Sequence, residues 1–282
     1  MKFIMTVSNL VRDWKLASQI TARAEELGFW GLGMPDHYLW AAGMDDATMD
    51  TWFALSHLAS ETNSIHVGTI VTPIPFRPPA VLAKMVSTLD IISNGRTFLG
   101  VGAGWSQREF EAYSEWDKPS VRVAKTAEGL ELIRKLWTVS GVLDFRGKYY
   151  HTKGGVLEPK PLQKPHPPFL FGGFSPRMIR LAGQYGDIIF IPPWIKLSFD
   201  EARDIALDSA RRSGRTDDIS FAAGSPVTGI PPKIEKYELK SYRDSVVAAE
   251  ESGCRYFILY LPDEDLMNSL NDFASNIMPS FS

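Results

Sequence analysis

The chain has 282 residues, 44% hydrophobic and 22% charged, with a net charge of −3 and a single cysteine, Cys254. These figures describe a globular protein with a sizeable core; they exclude a disulfide framework, a cysteine-based zinc site and the clustered basic surface that nucleic acid or anionic membrane requires. No stretch approaches the ~20 apolar residues of a membrane span and the first residues lack a signal-peptide core, so a cytoplasmic location is expected.

Residues 3–7 read as a strand, after which Asp13 is placed to cap a helix with Leu16, Ile20, Ala24 and Leu27 on one face and Gly28 as its stop. Residues 30–34 form the second strand, 51–61 a helix and 66–72, "HVGTIVT", the third strand. The helix after Pro78-Pro79 is expected to turn Val81, Leu82, Met85, Leu89 and Ile92 inward and to end at Asn94-Gly95. Residues 97–101 are the fourth strand. A long interval then breaks the rhythm: an amphipathic helix over 122–138, a hairpin over 142–150 turning near Arg146-Gly147, and the extended connector "EPKPLQKPHPPF". Alternation resumes with strands at 169–171, 188–191, 219–222 and 256–261, followed by helices at 177–185, 199–212, 240–252 and 266–278. Eight strands each followed by helix predict one α/β domain over 1–282, a (β/α)8 TIM barrel, with an insertion of about 106–168 between strands 4 and 5 on its top face.

In that architecture chemistry sits at the C-terminal strand ends. Strand two ends in Pro35-Asp36-His37-Tyr38, with Trp40 close behind: a carboxylate and an imidazole that can hold a ligand's polar edge and move a proton near neutral pH, or simply an exposed turn. Strand three runs into "TIVTPIPFRPP", a rigid bend. Strand four ends in Gly100-Val-Gly102-Ala-Gly104, which lacks the G-x-G-x-x-G spacing of a dinucleotide turn but leaves bare backbone for a planar ring or phosphate. Strand five ends in Gly172-Gly173-Phe174-Ser175-Pro176, where amides, a hydroxyl and a helix start make an anion site. No His/Asp/Glu spacing suggests a metal, and H-E-x-x-H, G-x-S-x-G and Walker A motifs are absent. Trp14, Trp30, Trp52, Trp116 and Trp137 read as packing residues, whereas Trp40, Trp105 and Trp194 follow strand ends.

Four segments in register, "LGFWGLGMPDHY", "RPPAVLAKMVSTLDIISNGRTFLGVGAGW", "GKYYHTKGGVLEPKP" and "PHPPFLFGGFSPRMIRLAGQYGD", resemble the luciferase-like flavin and deazaflavin oxidoreductases. The resemblance covers roughly residues 1–195; beyond that only the βα pattern matches. It implies a barrel binding coenzyme F420, a deazaflavin, or alternatively FMN, on its top face. Asp36-His37 and the Gly-Trp pair at Gly104-Trp105 look like the F420 branch. By the same resemblance His37 and Asp36 lie at the ring's reactive face, a bulge at Thr69-Ile70-Val71, often with a non-prolyl cis peptide, supports the ring from behind, Gly102, Ala103 and Gly104 hold ring and side chain, and Gly172, Gly173, Phe174 and Ser175 hold the phosphate. Sugar-phosphate dehydrogenases of the family carry a glutamate where Trp105 stands, so that substrate is not expected, and His37 is the leading acid/base with Glu109 second. Trp40, Trp105 and Trp194 then form a pocket for a small organic substrate. A homodimer through helices flanking the early strands and a separate cofactor reductase are further implications. The rivals are an FMN monooxygenase using oxygen, a non-catalytic flavin-binding barrel and a cofactor-free phosphate-binding barrel enzyme.

Overall fold

The computed structural model describes residues 1–7, 14–39, 48–215, 218–229, 234, 236–262 and 264–281; the expected cap Asp13 and pocket residue Trp40 lie outside them. In chain order the strands are β1 (Lys2–Thr6), β2 (Gly31–Met34), β3 (His66–Thr69), β4 (Thr72–Pro73), β5 (Thr97–Gly102), β6 (Leu143–Arg146), β7 (His151–Gly155), β8 (Phe169–Phe171), β9 (Ile188–Phe190), β10 (Ser220–Gly224) and β11 (Tyr256–Leu259). The helices are α1 (Trp14–Glu26), α2 (Thr51–Ser60), α3 (Pro79–Ile92), α4 (Gln107–Tyr113), α5 (Pro119–Thr138), α6 (Pro176–Tyr185), α7 (Phe199–Arg212), α8 (Leu239–Glu251) and α9 (Leu266–Asn276).

All strands but β6 and β7 join one sheet in the order β3-β2-β1-β11-β10-β9-β8-β5-β4, every pairing is parallel, and β3 pairs with β5 through Val67↔Thr97 and Gly68↔Phe98. That last pairing closes the eight-stranded (β/α)8 barrel. Alternation along each strand divides the apolar residues as a two-residue period requires. Ile4, Phe98, Leu170, Ile188, Phe190, Ala222 and Ile258 fill the barrel's interior, whereas Phe3, Met5, Leu99, Val101, Phe169, Phe171 and Phe257 pack outward under the helices. Arg96 sits at the opening of β5 and donates to the carbonyls of Ala59, Thr62, Ile65 and Ser93, tying the ends of α2 and α3 to the sheet.

Three expectations are corrected. Val81 and Ile92, expected inward, are 52% and 44% exposed, because Leu82, Val86 and Leu89 already fill the face of α3 that meets the barrel. The hairpin pairs 143–146 with 151–155 rather than turning at 146–147, since Glu128 gathers the amides of Lys148, Tyr149 and Tyr150 and holds the turn four residues long. The interval 106–168 is not all insertion: α5 packs against α3 and α6 and takes the place of a barrel helix, leaving α4 and the hairpin with its connector as additions. The seven-residue α4 was not anticipated, having too few turns for a periodic pattern. Among the described residues no helix is long and apolar enough to cross a membrane.

Candidate active site

The third barrel strand breaks between β3 and β4, where the Ile70–Val71 peptide is cis, at the expected bulge. Around this break the C-terminal strand ends converge on a cavity of about 290 Å³, lined by His37, Ile70, Val71, residues 102–105 and 172–175, Arg122 and Trp194. So of the residues singled out in the sequence, His37, Ile70, Val71, Gly102, Ala103, Gly104, Trp105, Gly172, Gly173, Phe174, Ser175 and Trp194 share one chamber. Asp36, Thr69 and Glu109 do not line it.

His37 is almost wholly buried and its Nδ1 lies 2.8 Å from Glu109 Oε2. Glu109 comes from the first turn of α4 and is 1% exposed; its Oε1 accepts the amides of Tyr38 (2.5 Å) and Leu39 (3.2 Å). A carboxylate that collects these donors fixes the loop after β2 and orients the imidazole, with Nε2 turned away from the acid. Glu109 thus contacts His37 from behind the cavity wall rather than lining the cavity. Trp105 packs edge-on to the His37 ring at 5.6 Å.

Asp36 differs from the expectation of a place beside His37 at the ring. It is 1% exposed and points into the protein, where Arg77 grips it bidentately at 2.5 and 3.1 Å and Trp52 Nε1 and Thr72 Oγ1 each lie 2.9 Å away. Burial alone pulls the Arg77 guanidinium down, but Asp36 together with Tyr38 outweighs it and the net shift is upward. The Asp36 amide also donates to Val71 O at 3.3 Å, so the pair locks the loop after β2 to the β3–β4 break. Thr69 likewise faces the sheet, exchanging hydrogen bonds with Gly100 at 3.1 and 3.3 Å. The sequence marked Trp52 only as packing; its indole N–H carries a polar role that residue type alone did not reveal.

The glycines need a similar revision. An added Cβ at Gly102 or Gly172 would meet the Val71 side chain at 2.6 or 2.8 Å, and one at Gly104, whose φ is +83°, would meet the Phe110 ring at 2.2 Å. Their missing side chains make room first for Val71 and Phe110, which bring the bent strand and α4 up to the cavity floor. At the strand-five end, Ser175 caps α6, its hydroxyl accepting from Met178 N at 3.3 Å, with Pro176 in the first turn. The Gly172 amide is taken by Val101 O (3.1 Å). Those of Gly173, Phe174 and Ser175 donate to nothing among the described residues, which suits an anion at a helix N-terminus.

The far wall is aromatic: Trp194 meets Phe174, Phe190 and Tyr260 edge-on at 5.9–6.1 Å, and burial pushes the Tyr260 phenol up. Arg122, from the first turns of α5, is the residue that sequence reading missed. It lines the cavity at 7% exposure with its guanidinium 3.7 Å over the Trp116 ring. Its place in an amphipathic helix gave no signal. No group of three or more His, Cys, Asp or Glu suited to a metal occurs among the described residues.

Residues 1–229 match the family described as luciferase-like monooxygenase, and the chain belongs to that family. It is 34% identical over 173 residues to an F420-dependent glucose-6-phosphate dehydrogenase of Amycolatopsis mediterranei (strain U-32), covering 60% of this chain and 50% of that protein. It is 31% identical over 211 residues to a phthiodiolone/phenolphthiodiolone dimycocerosates ketoreductase of Mycobacterium sp. (strain JLS), covering 73% of this chain and 52% of that one. The aligned region thus spans about half the length of these curated relatives. Among solved structures, an F420-dependent secondary alcohol dehydrogenase in complex with an F420-acetone adduct superposes over 100% of this chain and 99% of its own with a TM-score of 0.86 at 20% identity. The coenzyme F420-dependent tetrahydromethanopterin reductase of Methanopyrus kandleri superposes over 100% and 99% with a TM-score of 0.80 at 17% identity. At those identities the superpositions establish the shared barrel.

Proposed function

We propose that this chain is an oxidoreductase that binds coenzyme F420 in the cavity and exchanges a hydride with a small neutral organic substrate. The observation that carries the reading is His37, backed by Glu109, in the lining of the same apolar chamber that also holds three amides unused among the described residues. The residues fit the cofactor: the amides of Gly173, Phe174 and Ser175 would hold its phosphate, and Ile70, Val71 and the backbone of residues 102–104 would support its ring. When bound, F420 supplies hydride exchange at ring carbon C5; the chain orients it and excludes water. His37 gives or takes the accompanying proton, with Glu109 selecting the tautomer that presents Nε2. Asp36 and Thr69 are positioning residues in this scheme.

Trp105, Trp194 and Phe174 shape an aromatic substrate space, and among the described residues the cavity as a whole is lined by two basic side chains, Arg122 and His37, and by no lysine or carboxylate. That favours an uncharged ketone or secondary alcohol over a sugar phosphate, in line with the names of the ketoreductase and the secondary alcohol dehydrogenase. A homodimer through α2 and α3 is supported by Phe53 and Val81, 81% and 52% exposed on these adjoining helices. Titration with F420 and with FMN, followed by cofactor fluorescence, tests the reading. Micromolar binding of F420 with much weaker FMN binding is expected; preference for FMN favours the monooxygenase alternative, and binding of neither removes the redox reading.

A further inference from the structure

Arg122 presents a problem that the protein alone does not solve. The residue is more than nine-tenths buried. Its hydrogen bonding among the described residues is one contact, Nη1 to the Asp117 carbonyl at 2.5 Å. Among the described residues Nε is buried without a partner, and Nη2 has none either. Asp117, the carboxylate that acts on it electrostatically, is held at 2.6 Å by Lys125, and Arg122 makes no ion pair among the described residues. A buried charge with no carboxylate in direct contact is unfavourable unless an anion completes it. Burial lowers the Arg122 guanidinium, with Asp117 opposing the shift, but an arginine stays protonated at neutral pH. Arg122 also lines the cavity, so an anion bound there can supply the counter-charge.

Arg122 and the free amides of Gly173, Phe174 and Ser175 line the same cavity. Together they supply one full positive charge and neutral donors. Arg177, in the first turn of α6, is exposed and outside the lining. We propose that Arg122 is the counter-charge for the cofactor's phosphate and that this single charge matches the site to a singly charged phosphodiester, discriminating F420 from FMN. The inference rests on the F420 reading above. F420 carries its phosphate as a diester with one negative charge. FMN carries a monoester with a second pKa near 6, hence about −1.5 to −2 at pH 7. The cost of desolvating an ion grows as the square of its charge while its attraction to one guanidinium grows linearly. A dianion therefore leaves an uncompensated charge in a largely apolar chamber.

The experiment measures dissociation constants for wild type, Arg122→Gln, Arg122→Lys and, as a control, Arg177→Gln. The four ligands are F420, the phosphate-free deazaflavin with its ribityl chain, FMN and riboflavin, each at pH 5.5 and 8. In the wild type the phosphodiester with the tail it carries is expected to tighten F420 over the phosphate-free deazaflavin about 30-fold or more at both pH values. FMN should gain less over riboflavin, and less at pH 8 than at pH 5.5. Arg122→Gln should erase about 10-fold or more of the F420 gain while leaving the phosphate-free deazaflavin unchanged, Arg122→Lys should retain part of it, and Arg177→Gln all of it. The ligand-free Arg122→Gln protein should melt at or above the wild-type temperature, since it loses an uncompensated buried charge. An equal loss for both deazaflavins, an F420 gain untouched by Arg122→Gln, or an FMN gain at pH 8 matching that of F420 each overturns the proposal. If the wild type binds neither deazaflavin, the F420 reading itself fails, a result distinct from the others.

Discussion

Glu109→Gln tests the proton-carrying pair most sharply. In the wild type one carboxylate oxygen accepts the Tyr38 and Leu39 amides and the other faces His37 Nδ1 at 2.8 Å. Glutamine has one acceptor oxygen, and two backbone N–H groups fix where it must lie, so its NH2 falls opposite Nδ1. The imidazole then has to accept through Nδ1 and carry its proton on Nε2, the reverse of the wild-type tautomer. A hydrogen bond to a charged group contributes about 1.5–3 kcal/mol against about 0.5–1.5 for a neutral pair, so about 1–1.5 kcal/mol of orienting energy at His37 is lost. The larger effect is chemical: a proton held on the wrong nitrogen removes general acid–base assistance worth about 100- to 10,000-fold. Nitrogen NMR of labelled histidine reads the tautomer directly without a substrate. Nδ1–H is expected for wild-type His37 and Nε2–H for the variant, with F420 affinity within about threefold and turnover of a ketone or alcohol substrate down about 100-fold or more. An unchanged tautomer, or turnover within about threefold of wild type, refutes the assignment of the pair.

His37→Ala should keep F420 affinity within about threefold and slow turnover about 100-fold, read by the cofactor's visible absorbance; unchanged turnover removes His37 from the chemistry. Arg77→Met strands the buried Asp36 carboxylate and should cost about 3–5 kcal/mol in urea denaturation; a loss under about 1 kcal/mol would show that the pair does not hold the loop after β2. Burial pushes the Cys254 thiol up to about 12 and the Tyr150 phenol up to about 12, from ordinary values of 9.0 and 10.0. The unfolded chain releases these protons first, so the stability they contribute is complete below about pH 9 and falls as pH rises toward 12. Equilibrium unfolding between pH 8 and 11 checks the sign, and native Cys254 should resist iodoacetamide at pH 8 until the chain unfolds. Phe53→Glu should turn a dimer into monomers in sedimentation analysis, whereas a wild type that sediments as a monomer ends the dimer proposal.

The sequence alone determined the barrel, because closure depends on eight short apolar runs separated by amphipathic helices, and both periods are local properties of the chain. It also marked the strand ends that line the cavity, since Pro35-Asp36-His37, the glycines after β5 and Gly172-Gly173 each break a periodic element at a fixed place. Direction is what it left undecided. Asp36 and His37 are neighbours in the chain, yet one is drawn inward by Arg77, 41 residues away, and the other is held toward the cavity by Glu109, 72 residues away. The space beside Gly102 and Gly172 belongs to Val71, and Arg122 enters the cavity wall from a helix whose pattern announces only packing. Such outcomes depend on which distant donors, carboxylates and side-chain volumes meet once the ring closes, and no local pattern carries that information.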